Sequence, residues 1–115
     1  MIRGELWWAD YGIPFGSEPG YRRPVIILQN DFFNNSKINT TIVIPLSTSL
    51  LLADVPGNVF IGKKESKLSK DSVILLPQIG VIDKQRLIKK VSTISKNIMK
   101  KIENNMAFIL GIKIA

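Results

Sequence analysis

The chain has 115 residues, 45% of them apolar, enough for one domain to bury a core without disulfide or metal staples. Lysine and arginine number 16 against 9 aspartates and glutamates, a net charge of +7 that favours an anionic partner such as nucleic acid. With neither cysteine nor histidine, disulfides, thiolate metal sites, a cysteine nucleophile and every histidine-based triad or acid–base pair are excluded.

Glu5 to Asp10 carries two tryptophans and reads as a strand. Tyr11 to Tyr21 holds three glycines and two prolines and reads as a loop, long for so small a domain. Pro24 opens a buried strand, Val25-Ile26-Ile27-Leu28, since proline is tolerated at a strand's first residue. Asn30 to Asn39 is asparagine-rich and reads as turn or short helix. Thr41 to Leu46 is a strand of β-branched residues, followed by Ser47, Thr48 and Ser49. Asn58 to Ile61 and Ser72 to Leu76 are further strands, joined by a lysine-rich connection. Ile79 to Ile82 continues as strand after Pro77, and Ile88 to Ile94 is a last one. The period then changes. Ser95 can cap a helix in which Ile98, Ile102, Met106, Ile109 and Leu110 share one face.

Many short strands and one terminal helix, without strand–helix alternation, predict a mainly β fold. A strongly bent sheet or small barrel with helices attached fits that pattern. No linker divides the chain, so residues 1–115 read as a single domain. The first residues are too polar for a signal peptide, and no apolar run approaches a bilayer's thickness, which predicts a cytoplasmic protein.

A metal nuclease needs clustered carboxylates, and the nine acids here are scattered without a spacing that announces a site. No metal or other cofactor is expected. Two arginines, Arg22 and Arg23, stand at a strand's entrance after the long loop. Arginine contacts phosphate bidentately and keeps its charge inside a site. A solvated pair, or a salt bridge to Asp31 or Glu18, is the competing reading of the same residues. Ser47 and Thr48 bring hydroxyls to another strand's end, where an ordinary turn is the competing reading.

From end to end the chain resembles the MazF/PemK toxins. The resemblance is carried by Arg3-Gly4-Glu5-Leu6-Trp7-Trp8, by Gly16-Ser17-Glu18, and by Arg23-Pro24-Val25-Ile26-Ile27-Leu28-Gln29-Asn30-Asp31. It continues through Asp71-Ser72-Val73-Ile74-Leu75-Leu76, then Gln78-Ile79 and Ile82-Asp83-Lys84-Gln85-Arg86-Leu87. It implies an SH3-like small β-barrel, shared with CcdB, with a C-terminal helix. It further implies a homodimer, a MazE-like antitoxin, and sequence-specific, metal-independent cleavage of single-stranded mRNA to 2′,3′-cyclic phosphate and 5′-hydroxyl ends. By position Arg23 matches the catalytic arginine and Ser47 the catalytic hydroxyl, with Thr48 its rival. Glu18 and Ser17 match the loop beside the active site, Glu18 being a candidate base. Arg22 and Gln78 are the expected RNA-binding neighbours.

One departure is plain. Many members carry an acidic and a basic residue flanking the equivalent of Gln78, where this chain has Pro77 and Gly80. Two other readings fit the same composition: a CcdB-like gyrase-inhibiting toxin without nuclease activity, and a non-catalytic nucleic-acid-binding barrel.

Overall fold

Residues 1–113 are described by a computed structural model of the chain. The two long apolar strands, β2 (Arg22–Ile27) and β3 (Thr40–Ser47), pair antiparallel, with Ile26 opposite Ile44 and Ile27 opposite Val43. β1 (Glu5–Asp10) lies along the other edge of β2, and β7 (Leu87–Thr93) along the far edge of β1. The second edge of β3 is shared. Its first half pairs with β6 (Gly80–Asp83), and its end pairs with β5 (Ser72–Ile74), which carries β4 (Val59–Ile61). All these pairings are antiparallel.

Period-two alternation sorts the side chains to two faces. Leu6, Ile26, Ile44 and Leu46 point to one face, where Val59, Ile61 and Ile74 of β4 and β5 close over them. Helix α3 (Lys96–Leu110) lays Ile98, Ile102 and Met106 on that same cluster. Ala9, Val25, Ile27, Val43 and Ile82 form a second cluster on the other face, with Trp7, Tyr11 and Leu87 packed against it. Burial on both faces explains why Val25-Ile26-Ile27 is continuously apolar rather than alternating. The sheet therefore curls into a half-barrel whose two outer strands, β4 and β7, do not pair. A short helix, α2 (Lys63–Ser66), spans the gap: the Ser92 hydroxyl of β7 donates to the Ser66 carbonyl at 2.6 Å.

Most expected elements stand within a residue of where the sequence put them; the strand expected to open at Pro24 starts earlier, at Arg22, because Arg22 and Arg23 pair with Asp10 and Ala9 of β1, and three places in the second half differ. The strand expected over Ser72 to Leu76 stops at Ile74, because Pro77 supplies no N–H and the chain tightens into a 3₁₀ turn over Leu76–Gln78. The strand expected from Ile79 starts at Gly80. The lysine-rich connection contains α2, ended by Lys67 in the left-handed region at φ 67°. A single turn of helix, held by Asp71 accepting from the Lys63 N–H at 2.8 Å, leaves almost no periodic signal. The Ser95 cap is present, its hydroxyl oxygen accepting from the Ile98 N–H at 3.2 Å.

The Gln29-Asn30-Asp31 stretch builds structure. Asn30 caps α1 (Asp31–Asn34), its side chain accepting from the Phe32 N–H at 2.9 Å. Buried Asn34 receives hydrogen bonds from Gln29 and Thr41 at 3.0 and 2.9 Å and donates to Asp31 at 3.0 Å. Asp31 also takes the Arg3 N–H at 2.8 Å, which ties the chain's start to α1.

Candidate active site

The long loop is gathered at its base by two backbone hydrogen bonds between Tyr11, Gly12 and Tyr21. It folds tightly on itself: a Cβ at Gly20 would strike the Pro14 ring, so only glycine fits there. The return bend leaves Tyr21 in the left-handed region at φ 59°, a conformation rare for an aromatic residue, with its side chain exposed. Arg22 and Arg23 follow at once as the first residues of β2.

Arg23 lies opposite Ala9 and is half-buried. Its guanidinium is held by main-chain oxygens, donating from Nε to the Gly20 carbonyl at 3.3 Å and from Nη1 to the Leu46 carbonyl at 3.4 Å. Both bonds are long. Among the described residues Arg23 has no acidic partner; the ion pairs there join Arg3 to Glu103 and Lys90 to Glu5. A salt bridge from either arginine to Asp31 or Glu18 is not formed. The charge is therefore fixed in direction but not neutralised.

Around it opens a cleft of about 370 Å³, lined by Arg22, Arg23, Ser47 and Thr48 with Trp8 and Tyr21 along one side. Ser69 and Lys70, from the loop after α2, also line it. Ser47 ends β3; its hydroxyl accepts from the Ser49 N–H at 3.1 Å and keeps its proton free to donate. Thr48 beside it is exposed.

The other expected residues gather elsewhere. Ser17, Glu18 and Gln78 line a second cleft of about 830 Å³ with Tyr11, Phe15, Gly80 and Arg86. The expected set thus divides: Arg22, Arg23, Ser47 and Thr48 in one cleft, Ser17, Glu18 and Gln78 in a second that shares no lining residue with it. Tyr11 links them electrostatically. Burial pushes its phenol up to about 12, and the nearby Arg23 charge pulls the other way, so the hydroxyl stays a neutral donor at ordinary pH. Arg86 is fixed in the second cleft by donating to the Asp10 carbonyl at 3.0 Å.

Sequence reasoning missed Trp8, Tyr11, Tyr21 and Lys70. A lone aromatic in a strand reads as core. The signal that separates Trp8 from Trp7 is register alone, and register needs the partner strands. Lys70 reaches the cleft only because α2 and its left-handed cap turn the chain back.

The family profile of PemK-like, MazF-like toxins of type II toxin–antitoxin systems matches residues 2–110. Over 112 residues the chain is 34% identical to the endoribonuclease MazF6 of Mycobacterium tuberculosis, covering 97% of this chain and 98% of that one. The endoribonuclease MazF2 of Mycobacterium bovis matches to the same extent. The fold superposes on MazF from Deinococcus radiodurans with a TM-score of 0.81 at 18% identity, covering 97% of each chain. It also superposes on a mycobacterial endoribonuclease solved with its cognate antitoxin, with a TM-score of 0.80 at 20% identity over 100% of this chain and 99% of that one. The chain belongs to the PemK-like, MazF-like toxins of type II toxin–antitoxin systems.

Proposed function

We propose that the chain is a metal-independent endoribonuclease that cuts single-stranded RNA at sequence-selected sites, with Arg23 at the reacting phosphate. The observation that carries this reading is the Arg23 guanidinium, aimed by two carbonyls and left without an acidic partner beside the Ser47 and Thr48 hydroxyls. The curated relatives at 34% identity are named endoribonucleases, which supports it.

The RNA supplies its own nucleophile. The 2′-oxygen bonds to the adjacent phosphorus, the phosphorus–O5′ bond breaks, and a cyclic phosphate and a 5′-hydroxyl result. The protein must align the attack and stabilise the charge that builds on the phosphorane oxygens. Arg23 supplies that charge, and Ser47 adds a hydrogen bond, with Thr48 as the alternative donor. Arginine does not serve as the base, because guanidinium keeps its proton to above roughly pH 12. Glu18 lines the second cleft and is the candidate acceptor of the 2′-hydroxyl proton where the RNA spans both clefts, while solvent water protonates the leaving O5′. Ser17, Arg22 and Gln78 hold and read the flanking RNA. The working unit is a homodimer in the cytoplasm, silenced by a MazE-like antitoxin whose acidic segment covers the Arg23 cleft; solved relatives in complex with antitoxins support that partner. No helix among the described residues is long and apolar enough to cross a membrane.

The test is incubation of the purified protein with a long single-stranded RNA in the presence of EDTA. Cleavage to 2′,3′-cyclic phosphate ends is expected. Arg23→Ala should lower the rate by about two to three decades while the variant stays folded, the loss seen when one charge-stabilising donor is removed from such a site. Arg23→Lys should recover little, because an ammonium cannot reproduce the planar fork. A folded Arg23→Ala protein cutting at the parent rate would remove Arg23 from the mechanism.

A further inference from the structure

Trp8 and Lys89 are register partners across β1 and β7, and Trp8 faces Pro24, two residues past Arg22, on its other side. Trp8, Arg22, Ile88 and Lys89 line a third cleft, of about 350 Å³. Trp8 and Arg22 also line the Arg23 cleft, so the two hollows adjoin.

Several other cations are tied into the structure, although among the described residues the side chain of Lys70, in the lining of the Arg23 cleft, is not. Arg3 pairs with Glu103, Lys90 pairs with Glu5, Arg86 donates to the Asp10 carbonyl and Lys84 to the Asn34 carbonyl. Among the described residues the side chains of Arg22 and Lys89 have no ion-pair or hydrogen-bond partner. Asp10 faces Arg22 in register, yet its carboxylate accepts from the Gly12 N–H at 2.8 Å and makes no ion pair. The tryptophans differ in the same way. The Trp7 indole N–H donates to Glu5 at 3.1 Å, whereas Trp8 is 37% exposed and its indole N–H has no partner among the described residues.

An open indole flanked by two unpaired cations suits one kind of ligand. An unpaired base stacks on the ring, and the phosphates on either side meet the charges. A duplex hides its base faces and does not offer this.

We propose that Trp8, Arg22 and Lys89 form a flanking-nucleotide subsite, which stacks one unpaired RNA base and grips its phosphates while the neighbouring linkage lies against Arg23. The subsite rests on the RNA-cleaving reading above. It adds to the recognition that the long loop and Gln78 supply on the other cleft.

The experiment uses the full chain and a fluorescein-labelled, 30-nucleotide single-stranded RNA of mixed sequence, with binding measured in the Arg23→Ala background and cleavage in the parent. Trp8→Ala should weaken binding by roughly ten-fold, as loss of one stacked base does. Trp8→Phe should restore most of it. Lys89→Glu should weaken binding and make the slope of log affinity against log salt shallower by about one. In cleavage both losses should raise KM and leave kcat near the parent value, and Lys100→Glu on α3, exposed and in the lining of none of the three clefts, should change neither. A parent protein that does not cut RNA overturns the enzymatic reading. A parent that cuts, with Trp8→Ala and Lys89→Glu binding and cutting like it, overturns the subsite alone. Loss of binding to an acidic antitoxin peptide without loss of RNA binding would assign this surface to a protein partner and also overturn it.

Discussion

Single residues here carry either chemistry or architecture, and partners tell the two apart. Arg23 is anchored only by neutral carbonyls, which leaves its charge available. Asp31 and Glu5 are committed to the frame. The hydrogen bonds to Asp31 from the Asn34 side chain and then the Arg3 N–H hold its carboxyl below the ordinary value of 3.8. Burial alone would raise Glu5, but hydrogen bonds from Lys90, Trp7 and the Ile2 N–H outweigh it and leave Glu5 below 4.5. A carboxyl lowered by folding stabilises the native state above its unfolded value, and that contribution is lost as pH falls through the folded value. Stability from both groups should therefore be complete at neutral pH and fall away below about pH 4. Urea unfolding midpoints from pH 7 to pH 2.5 measure it. In Asp31→Asn the decline should be shallower, and a slope identical to the parent's would mean that Asp31 plays no part in acid sensitivity. The arginine pair was legible in the chain itself, since two cations ahead of an apolar strand are unusual. Their lack of acidic partners was not, because that depends on where Asp31 and Glu18 end up.

Among the elements, α3 was the easiest to read, because Ile98, Ile102 and Met106 recur at helical spacing and Ser95 marks its start, although Leu110, expected on the same face, is exposed at the helix's end. Ser95→Ala should cost about 1 kcal/mol, measured as a lower unfolding midpoint with an unchanged m-value. The segment between β5 and β6 was harder. Its apolar run looked like two strands end to end, and only Pro77 hinted that the chain bends. The 3₁₀ turn over Leu76–Gln78 exposes Gln78, and Gly80 next to it is nearly unobstructed: a Cβ there meets the Gln78 carbonyl at 3.8 Å, ordinary contact. The paired change Pro77→Glu, Gly80→Arg should therefore fold without strain. It should shift the preferred cut motif more than the overall rate on a mixed RNA pool, because the added charges stand beside an amide that can read a base edge. Sequencing fragment ends from one long transcript checks this. An unchanged motif with a large gain in rate would place these two positions in catalysis instead of recognition. The division of the site into two clefts was invisible beforehand, since the loop carrying Glu18 and the turn carrying Gln78 meet only through tertiary packing.

For the molecule as a whole, one edge of the sheet is completed by pairing the first strand with the last. β1 begins at Glu5, and the strand that covers its outer edge ends at its register partner, Thr93. The core on one face is sealed later still, by Ile98, Ile102 and Met106 of α3. Most of the fold is thus long-range pairing that gains nothing until the last strand and helix exist, and closing such distant contacts is slow. A chain ending at Arg86 lacks both β7 and α3, and should be rapidly digested by protease and unable to cut RNA. A truncated form resisting protease like the full chain would show that the closing strand is dispensable. If the chain cuts RNA as proposed, this order of assembly has a temporal meaning. An incomplete polypeptide still on the ribosome cannot attack the transcript that encodes it, so each round of synthesis runs to its end before a harmful copy exists.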